Sequence, residues 1–203
     1  MIRYLRSSGF EGLFLFLRLK KMEKIAVHLA EGFEEIEAVS IIDVLRRAGF
    51  EVKIVSVTGQ LNVSGAHGIR ITSDQLFEDI DYKQIDMLVL PGGMPGARNL
   101  KEHIGLAEQI INFNDNGKPL GAICAAPIVF GNLGILKDIK ATCYPGFEGE
   151  LHGAITTSSD VELSGSVITG KGAGVAIEFA LKIVEMFRGR EMSDELAQKM
   201  IVN

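Results

Sequence analysis

The residues with the clearest capacity for chemistry lie around Cys124. Residues 118–123, Lys-Pro-Leu-Gly-Ala-Ile, read as a short buried strand that ends at this cysteine. Ala125, Ala126 and Pro127 follow, then the apolar run Ile128-Val129-Phe130. That order predicts strand, tight turn, helix. A side chain at such a turn stands at the C-terminal edge of a sheet, where open α/β sheets bind ligands. It also stands at a helix N-terminus, whose partial positive charge favours an anion. For a cysteine the anion is the thiolate, the nucleophilic form. Ala122, Ala125 and Ala126 leave room for a sharp bend and a substrate. Serine works in this way at strained strand-to-helix elbows. The competing reading is a small core residue, because free cysteines are among the most buried side chains.

Two further groups could act with it. Glu34 and Glu37 are three apart at the start of a helical pattern, so they share a face. They follow the first strand, which places them at the same sheet edge as Cys124. A glutamate beside a cysteine can accept or donate a proton during nucleophilic addition. The helix macrodipole alone also favours acids in a first turn. Pro91-Gly92-Gly93 ends another strand. Its amides could stabilise an oxyanion, although a double glycine is also an ordinary turn. The three groups, each at a strand end, point to a cleft more specifically than any one of them.

The elements that must position these groups alternate. Strands are expected over 24–29, 51–57, 85–90 and 120–123, with helices over 36–48, 106–114 and 126–133 between and after them. In the first helix Ile36, Val39, Ile42 or Asp43, and Leu45 recur at helical spacing, and Gly49 closes it. Residues 59–72 read as a hairpin flap. Short strands are expected at 141–144, 155–157 and 166–169. A helix over 175–187 and a last one over 194–200, capped by Ser193, complete the chain. His28, inside the first strand, reads as a satisfied core histidine. Alternating βαβ units predict a mostly parallel sheet covered by helices.

Composition bounds the function. The chain has 203 residues, 47% of them hydrophobic and 23% charged. That is ordinary for one globular domain. A net charge of −5 argues against a nucleic-acid backbone as partner. Two cysteines, Cys124 and Cys143, and four scattered histidines show no disulfide framework and no metal-ligand spacing. No P-loop or GxGxxG motif is present. A reducing cytoplasm is the expected compartment. Residues 1–21 differ from the rest, with Arg3, Arg6, Arg18, Lys20 and Lys21 against Glu11. Their apolar run, residues 13–17, is too short to span a bilayer. They read as an N-terminal extension, a possible start-site artefact, ahead of a single domain over 22–203.

Five segments together resemble the ThiJ/PfpI superfamily, on the branch of the parkinsonism-associated deglycase and its bacterial relatives. They are Ala-Glu-Gly-Phe-Glu-Glu-Ile-Glu at 30–37, Asp-Val-Leu-Arg-Arg-Ala-Gly at 43–49, Leu-Pro-Gly-Gly at 90–93, Ala-Ile-Cys-Ala-Ala-Pro at 122–127, and Gly-Ala-Gly at 172–174 with Glu-Phe-Ala-Leu at 178–181. The resemblance implies a flavodoxin-like three-layer α/β sandwich with a nucleophile elbow, and a homodimer. It implies Cys124 as nucleophile, Glu37 as general acid/base, Glu34 beside the cleft, and an oxyanion backbone of Gly92, Gly93 and Ala125, with the amides of Gly93 and Ala125 as donors. The implied activity is cofactor-free: glyoxalase or deglycase action on reactive dicarbonyls or early glycation adducts. A redox sensor or chaperone that uses Cys124 without turnover is the alternative. Where animal members carry a histidine, this chain has Tyr144. Tyrosine, with an unperturbed pKa of about 10, is no base at neutral pH but can donate a hydrogen bond. The proton work then falls on Glu37. The protease-like branch has a histidine directly after its nucleophile, whereas Ala125 stands here, so a cysteine peptidase is a remote reading.

Overall fold

The computed structural model describes residues 22–202; the extension expected over 1–21 lies outside the described residues. Strand β1 (Lys24–Leu29) is followed by helix α1 (Glu35–Arg47) and β2 (Glu51–Ser56). A small hairpin, β3 (Asn62–Ser64) and β4 (Arg70–Thr72), precedes a short edge strand, β5 (Gln75–Leu76). Next come β6 (Met87–Leu90), α2 (Gly96–Glu102), α3 (Ile104–Asp115), β7 (Leu120–Ile123) and α4 (Pro127–Asn132). The chain continues through β8 (Lys140–Ala141), β9 (Ile155–Thr156), β10 (Val161–Ser164) and β11 (Val167–Gly170). It ends in α5 (Ala176–Arg188) and α6 (Arg190–Lys199).

The seven-stranded sheet has the order β10-β11-β7-β6-β1-β2-β5. Its neighbours run parallel except β10, which is antiparallel to β11. Buried strands in such a sheet must be apolar on both faces. In β1, Ile25, Val27 and Leu29 pack with Ile41, Leu45, Phe179 and Ile183 of α1 and α5. Ala26 of the same strand faces a second core with Leu106 and Ile110 of α3 and Ile128 and Phe130 of α4. Two helical layers therefore enclose the sheet, as a flavodoxin-like sandwich requires. Among the described residues no helix is long and apolar enough to cross a membrane.

This strand order puts a topological switch between β1 and β6. The chain leaves β1 toward β2 on one side, then returns to place β6 on the other. The loops after β1 and β6 consequently diverge and open a crevice at the C-terminal sheet edge. Cys124 follows β7, the next strand over.

Several expectations change in physical detail. Ile36 and Val39 of α1 are 59% and 49% exposed, while Ala38, Ile41, Ile42 and Leu45 form the buried face. The helical stripe is rotated because Glu35 and Glu37 take two of the buried positions. Ser193 lies inside α6, and its hydroxyl donates to Leu181 O (2.9 Å) instead of capping a helix. The strand expected at 141–144 stops at Ala141, because the Tyr144 amide bonds Cys124 O (2.8 Å). His28 is buried but only half satisfied: Nε2 shares a hydrogen bond with Tyr82 (2.8 Å), while Nδ1 has no partner. Burial pushes its pKa down to about 3, so it stays neutral.

The hairpin is fastened to the loop that leads into α1. Gly32 N–H donates to Ser64 O (2.8 Å) and Ala66 N–H to Phe33 O (2.8 Å). Glu35, only 4% exposed, accepts from the amides of His67 (2.7 Å) and Ile69 (3.2 Å) and shares a hydrogen bond with His67 Nδ1 (2.9 Å). Burial alone would raise the Glu35 pKa, but these donors bring it below the usual carboxylate value. A Cβ on Gly65 would run into the Glu35 side chain. Hydrogen bonds to a charged group each contribute about 1.5–3 kcal/mol. Glu35→Ala is therefore expected to destabilise the protein by about 2–4 kcal/mol in urea unfolding, with amide exchange at His67 and Ile69 accelerated first.

Candidate active site

Cys124 adopts φ 63°, the left-handed region, on the turn between β7 and α4. For a non-glycine residue this conformation costs about 1–3 kcal/mol and persists only where surroundings enforce it. Here the enforcement is visible. Cys124 N–H donates to Gly170 O (2.9 Å), its carbonyl accepts from Tyr144 N–H (2.8 Å), and Ala126 N–H bonds back to Ile123 O (3.0 Å). The elbow is thus pinned between β11 and the segment after β8. Its side chain is half-buried.

Pro91-Gly92-Gly93 presses against this elbow from β6. A Cβ built on Gly92 would lie 2.6 Å from Cys124 Cβ and 2.9 Å from Glu37 Oε2. A Cβ on Gly93, at φ +89°, would collide with the Glu34 backbone. Glycines are required here so that backbone, thiol and carboxyl can meet. Gly92 N–H donates to Glu37 Oε2 (2.7 Å), and Gly92 O accepts from Glu34 N–H (2.9 Å). Gly92 therefore holds the acid, and its amide does not point at the sulfur. The amides of Gly93 and Ala125 are the ones directed at Cys124.

Glu37 is 0% exposed in the first turn of α1, hydrogen-bonded with the Cys124 thiol. Its Oε1 has no hydrogen-bond partner. Burial pushes its pKa up to about 7, against the Gly92 amide and Cys124, with Glu34 adding to the rise. Burial and the Glu37 carboxylate likewise push the Cys124 thiol up to about 12, while the Gly93 and Ala125 amides pull it down. The two groups titrate as a pair. When Glu37 carries the proton its charge disappears, and thiolate can form beside a neutral carboxyl.

The helix macrodipole contributes little of this, because α4 is six residues long. Glu34 occupies the residue before α1 without capping it through its side chain, and is partly buried, with Oε2 3.5 Å from His67 Nδ1. Tyr144 is 50% exposed and is tied to the elbow through its backbone. Cys143 is buried in the second core, and burial with Glu148 pushes its thiol up to about 11. It is a core residue.

Nothing in the sequence marks Glu35 and His67 as partners. With Glu34 they bring possible metal-ligand atoms within 4.8 Å of one another. No spacing signals this, because the hairpin delivers His67 across 32 residues. The His67 Nδ1 and both Glu35 oxygens are already engaged with each other and with backbone amides.

Glu37 gives a pH signature. Its folded pKa of about 7 lies above the ordinary 4.5, so the folded state binds this proton more tightly than the unfolded state. Its contribution to stability is complete below pH 4.5 and is lost as pH rises through 7. A shift of this size corresponds to roughly 3 kcal/mol. Glu37→Gln is expected to gain stability relative to wild type between pH 5 and pH 8, by up to about that amount in urea unfolding. Parallel stability curves would show that Glu37 ionises normally.

Comparison with known proteins places this geometry in a family. The chain is 38% identical over 182 residues to Protein DJ-1 homolog B of Arabidopsis thaliana, covering 89% of this chain. It spans less than half of that protein, 42% of its length. It is 36% identical to the Glutathione-independent glyoxalase DJR-1.2 of Caenorhabditis elegans, over 84% of this chain and 91% of that one. The structure of oxidized DJ-1 from Toxoplasma gondii superposes with a TM-score of 0.85 at 36% identity, covering 88% of this chain and 98% of the other. Residues 23–186 match the DJ-1/PfpI family as a whole. With that match laid over the same fold, the chain belongs to the DJ-1/PfpI family.

Proposed function

We propose that this protein is a cofactor-independent cysteine enzyme that acts on reactive dicarbonyls or early glycation adducts, with residues 22–203 as the working domain. The observation that carries the reading is the pairing of Cys124, on a left-handed elbow, with a fully buried Glu37 hydrogen-bonded to it. The name of the Caenorhabditis elegans relative, a glutathione-independent glyoxalase, agrees with it.

For methylglyoxal the steps balance as follows. The Cys124 thiolate adds to the aldehyde carbon, and the alkoxide takes the Glu37 proton to give a hemithioacetal. Glu37 carboxylate then removes the hydrogen from that carbon as a proton, giving an enediol, and returns it to the neighbouring carbon, while the hydroxyl proton of the first carbon passes to the oxygen of the second. This isomerisation turns the hemithioacetal into a lactoyl thioester. Water attacks the thioester, releasing lactate and regenerating the thiol. The amides of Gly93 and Ala125, directed at Cys124, favour its thiolate form for the attack. A buried acid with a pKa near 7 suits a group that gives and takes a proton at neutral pH.

Loss of a positioned proton-transfer group typically costs 10²–10⁴-fold. Cys124→Ser is expected to abolish lactate formation from methylglyoxal without glutathione. Glu37→Gln should lower kcat/KM at least about 100-fold. Undiminished turnover in either variant would overturn the mechanism. The redox reading is favoured by one specific comparison, the oxidized state of the Toxoplasma gondii structure. Absence of turnover in wild type, with selective peroxide oxidation of Cys124 in mass spectrometry, would shift the assignment to it.

The reading includes a homodimer. Ile36 and Val39 stand exposed on α1 beside a groove of about 270 Å³ lined by Val39, Ile42, Ile54 and Ile71, with Asp43 and Arg46 at its edge. A second copy would cover this apolar face. Ile36→Lys with Val39→Lys is expected to sediment as a monomer where wild type sediments as a dimer. An unchanged dimer mass would place the interface elsewhere.

A further inference from the structure

We propose that His67 is a positioning residue for the candidate site: from the hairpin it holds the Glu34 carboxylate in place, one helical turn before Glu37. Its effect on turnover rests on the reading of Glu37 as proton donor and acceptor, but the coupling itself is measured without turnover.

The hairpin carries His67 to the start of α1, where it meets two acids in different ways. With Glu35 it forms hydrogen bonds: its amide donates to Oε1 (2.7 Å), and Nδ1 lies 2.9 Å from Oε2. A carboxylate only accepts, so Nδ1 carries a proton and Nε2 is the nitrogen left to titrate. With Glu34 the contact is longer, Nδ1 to Oε2 at 3.5 Å, and becomes an ion pair when the ring is protonated. Both acids raise the His67 pKa above its ordinary value, which favours the charged ring.

Glu34 has little else to hold its side chain. Its backbone is fixed, with N–H donating to Gly92 O (2.9 Å) and O accepting from Ala38 N–H (3.0 Å). The side chain does not cap the helix, and among the described residues His67 is the one cation beside its carboxylate. Yet only 14% of that side chain is exposed. Three residues on, Glu37 feels the charge, and Glu34 adds to the rise of its pKa. Side chains at this spacing lie about 5–6 Å apart at Cβ. The His67 side chain is 69% exposed, so its own field is screened by water. Its ring pairs with Glu34 and Glu35, not with Glu37 or Cys124.

The influence of His67 on Glu37 therefore runs through the position of Glu34. Released, Glu34 turns to water, its field at Glu37 is screened, and Glu37 gives up its proton more readily. The other groups facing Glu37 are the Cys124 thiol and the Gly92 amide, and neither meets His67. Of the remaining charges on these segments, Glu31 accepts from the Ser64 amide (3.3 Å) and Arg70 is exposed.

The test reads the Glu37 titration from its carboxyl 13C shift, in protein labelled at glutamate Cδ and assigned by the signal lost in Glu37→Gln. His67→Asn keeps a neutral donor near Nδ1 for Glu35 and removes the charge that holds Glu34, whereas His67→Arg keeps a charge. His67→Asn is expected to lower the Glu37 midpoint from about 7 by about half a unit. That is an about threefold weaker proton affinity, the scale of one unit charge at this range in a water-like medium. Glu34→Gln lowers the midpoint equally, the double variant goes no further, and His67→Arg stays at the wild-type value. A midpoint unmoved or raised in His67→Asn, or shifts that add in the double variant, overturns the proposal. A role in fastening the hairpin alone would change amide exchange at Ile69 and leave that midpoint in place.

A reciprocal measurement keeps the native histidine. The ring titration of His67 is expected to fall in Glu34→Gln, and an unmoved one overturns the contact. The pH profile of kcat/KM for methylglyoxal separates the two claims. A carboxyl shift without turnover in wild type removes the proposed reaction and leaves His67 its task. Turnover with an unmoved carboxyl does the reverse.

Discussion

The site depends on one close approach. Gly92 lies so near both Cys124 and Glu37 that no Cβ fits between them, and its amide donates to Glu37 Oε2 at 2.7 Å. That bond anchors a carboxyl that burial would otherwise penalise heavily. It also fixes the register between β6 and α1, since Gly92 O receives the Glu34 amide. Move this peptide by an ångström and the acid loses its anchor. The strand order makes the approach possible, because β6 and β1 are neighbours whose connections leave in opposite directions.

Around that contact, support comes from a distance in sequence. Glu35 is neighbour to both candidate acids but turns the other way, into the hairpin, where it satisfies the amides of His67 and Ile69. Successive glutamates on one helix start thus have separate tasks. Glu34 faces the crevice, Glu35 holds the flap, and Glu37 is buried against the thiol. The macrodipole favours all of them at this end, so it explains why acids are there but not which one does what.

The architecture was legible because it rests on local patterns: apolar runs for buried strands, glycines after them, and helical spacing between. The elbow and Glu37 could be read from residue order and from resemblance. What escaped were relations between segments distant in the chain. The buried face of α1 is not the one its apolar residues suggest, because Ile36 and Val39 are exposed, whereas Glu35 and Glu37 are buried. Hydropathy counts a buried acid against its own face. Ser193 carries the signature of a cap but is used by Leu181 O, on the preceding helix. The tasks of Gly92 and Gly93 divide only when the carboxyl is in place, since a double glycine is symmetrical in sequence and its amides are not.

The site holds two features that oppose stability, a left-handed Cys124 and an acid at 0% exposure. Among the described residues no cation pairs with Glu37. A lysine or arginine beside Glu37 would stabilise the carboxylate and lower its pKa, but it would also remove the proton that a thiolate partner needs. Burial without a counter-charge does the opposite and brings the carboxyl to about 7. An acid of that strength can be proton donor and acceptor in successive steps, which a salt-bridged one cannot. Tyr144 is tied to the elbow by its backbone, and Glu37 is the acid paired with the thiol. In the proposed reaction the low polarity around Glu37 is therefore the means by which a single carboxyl would serve both directions of proton transfer.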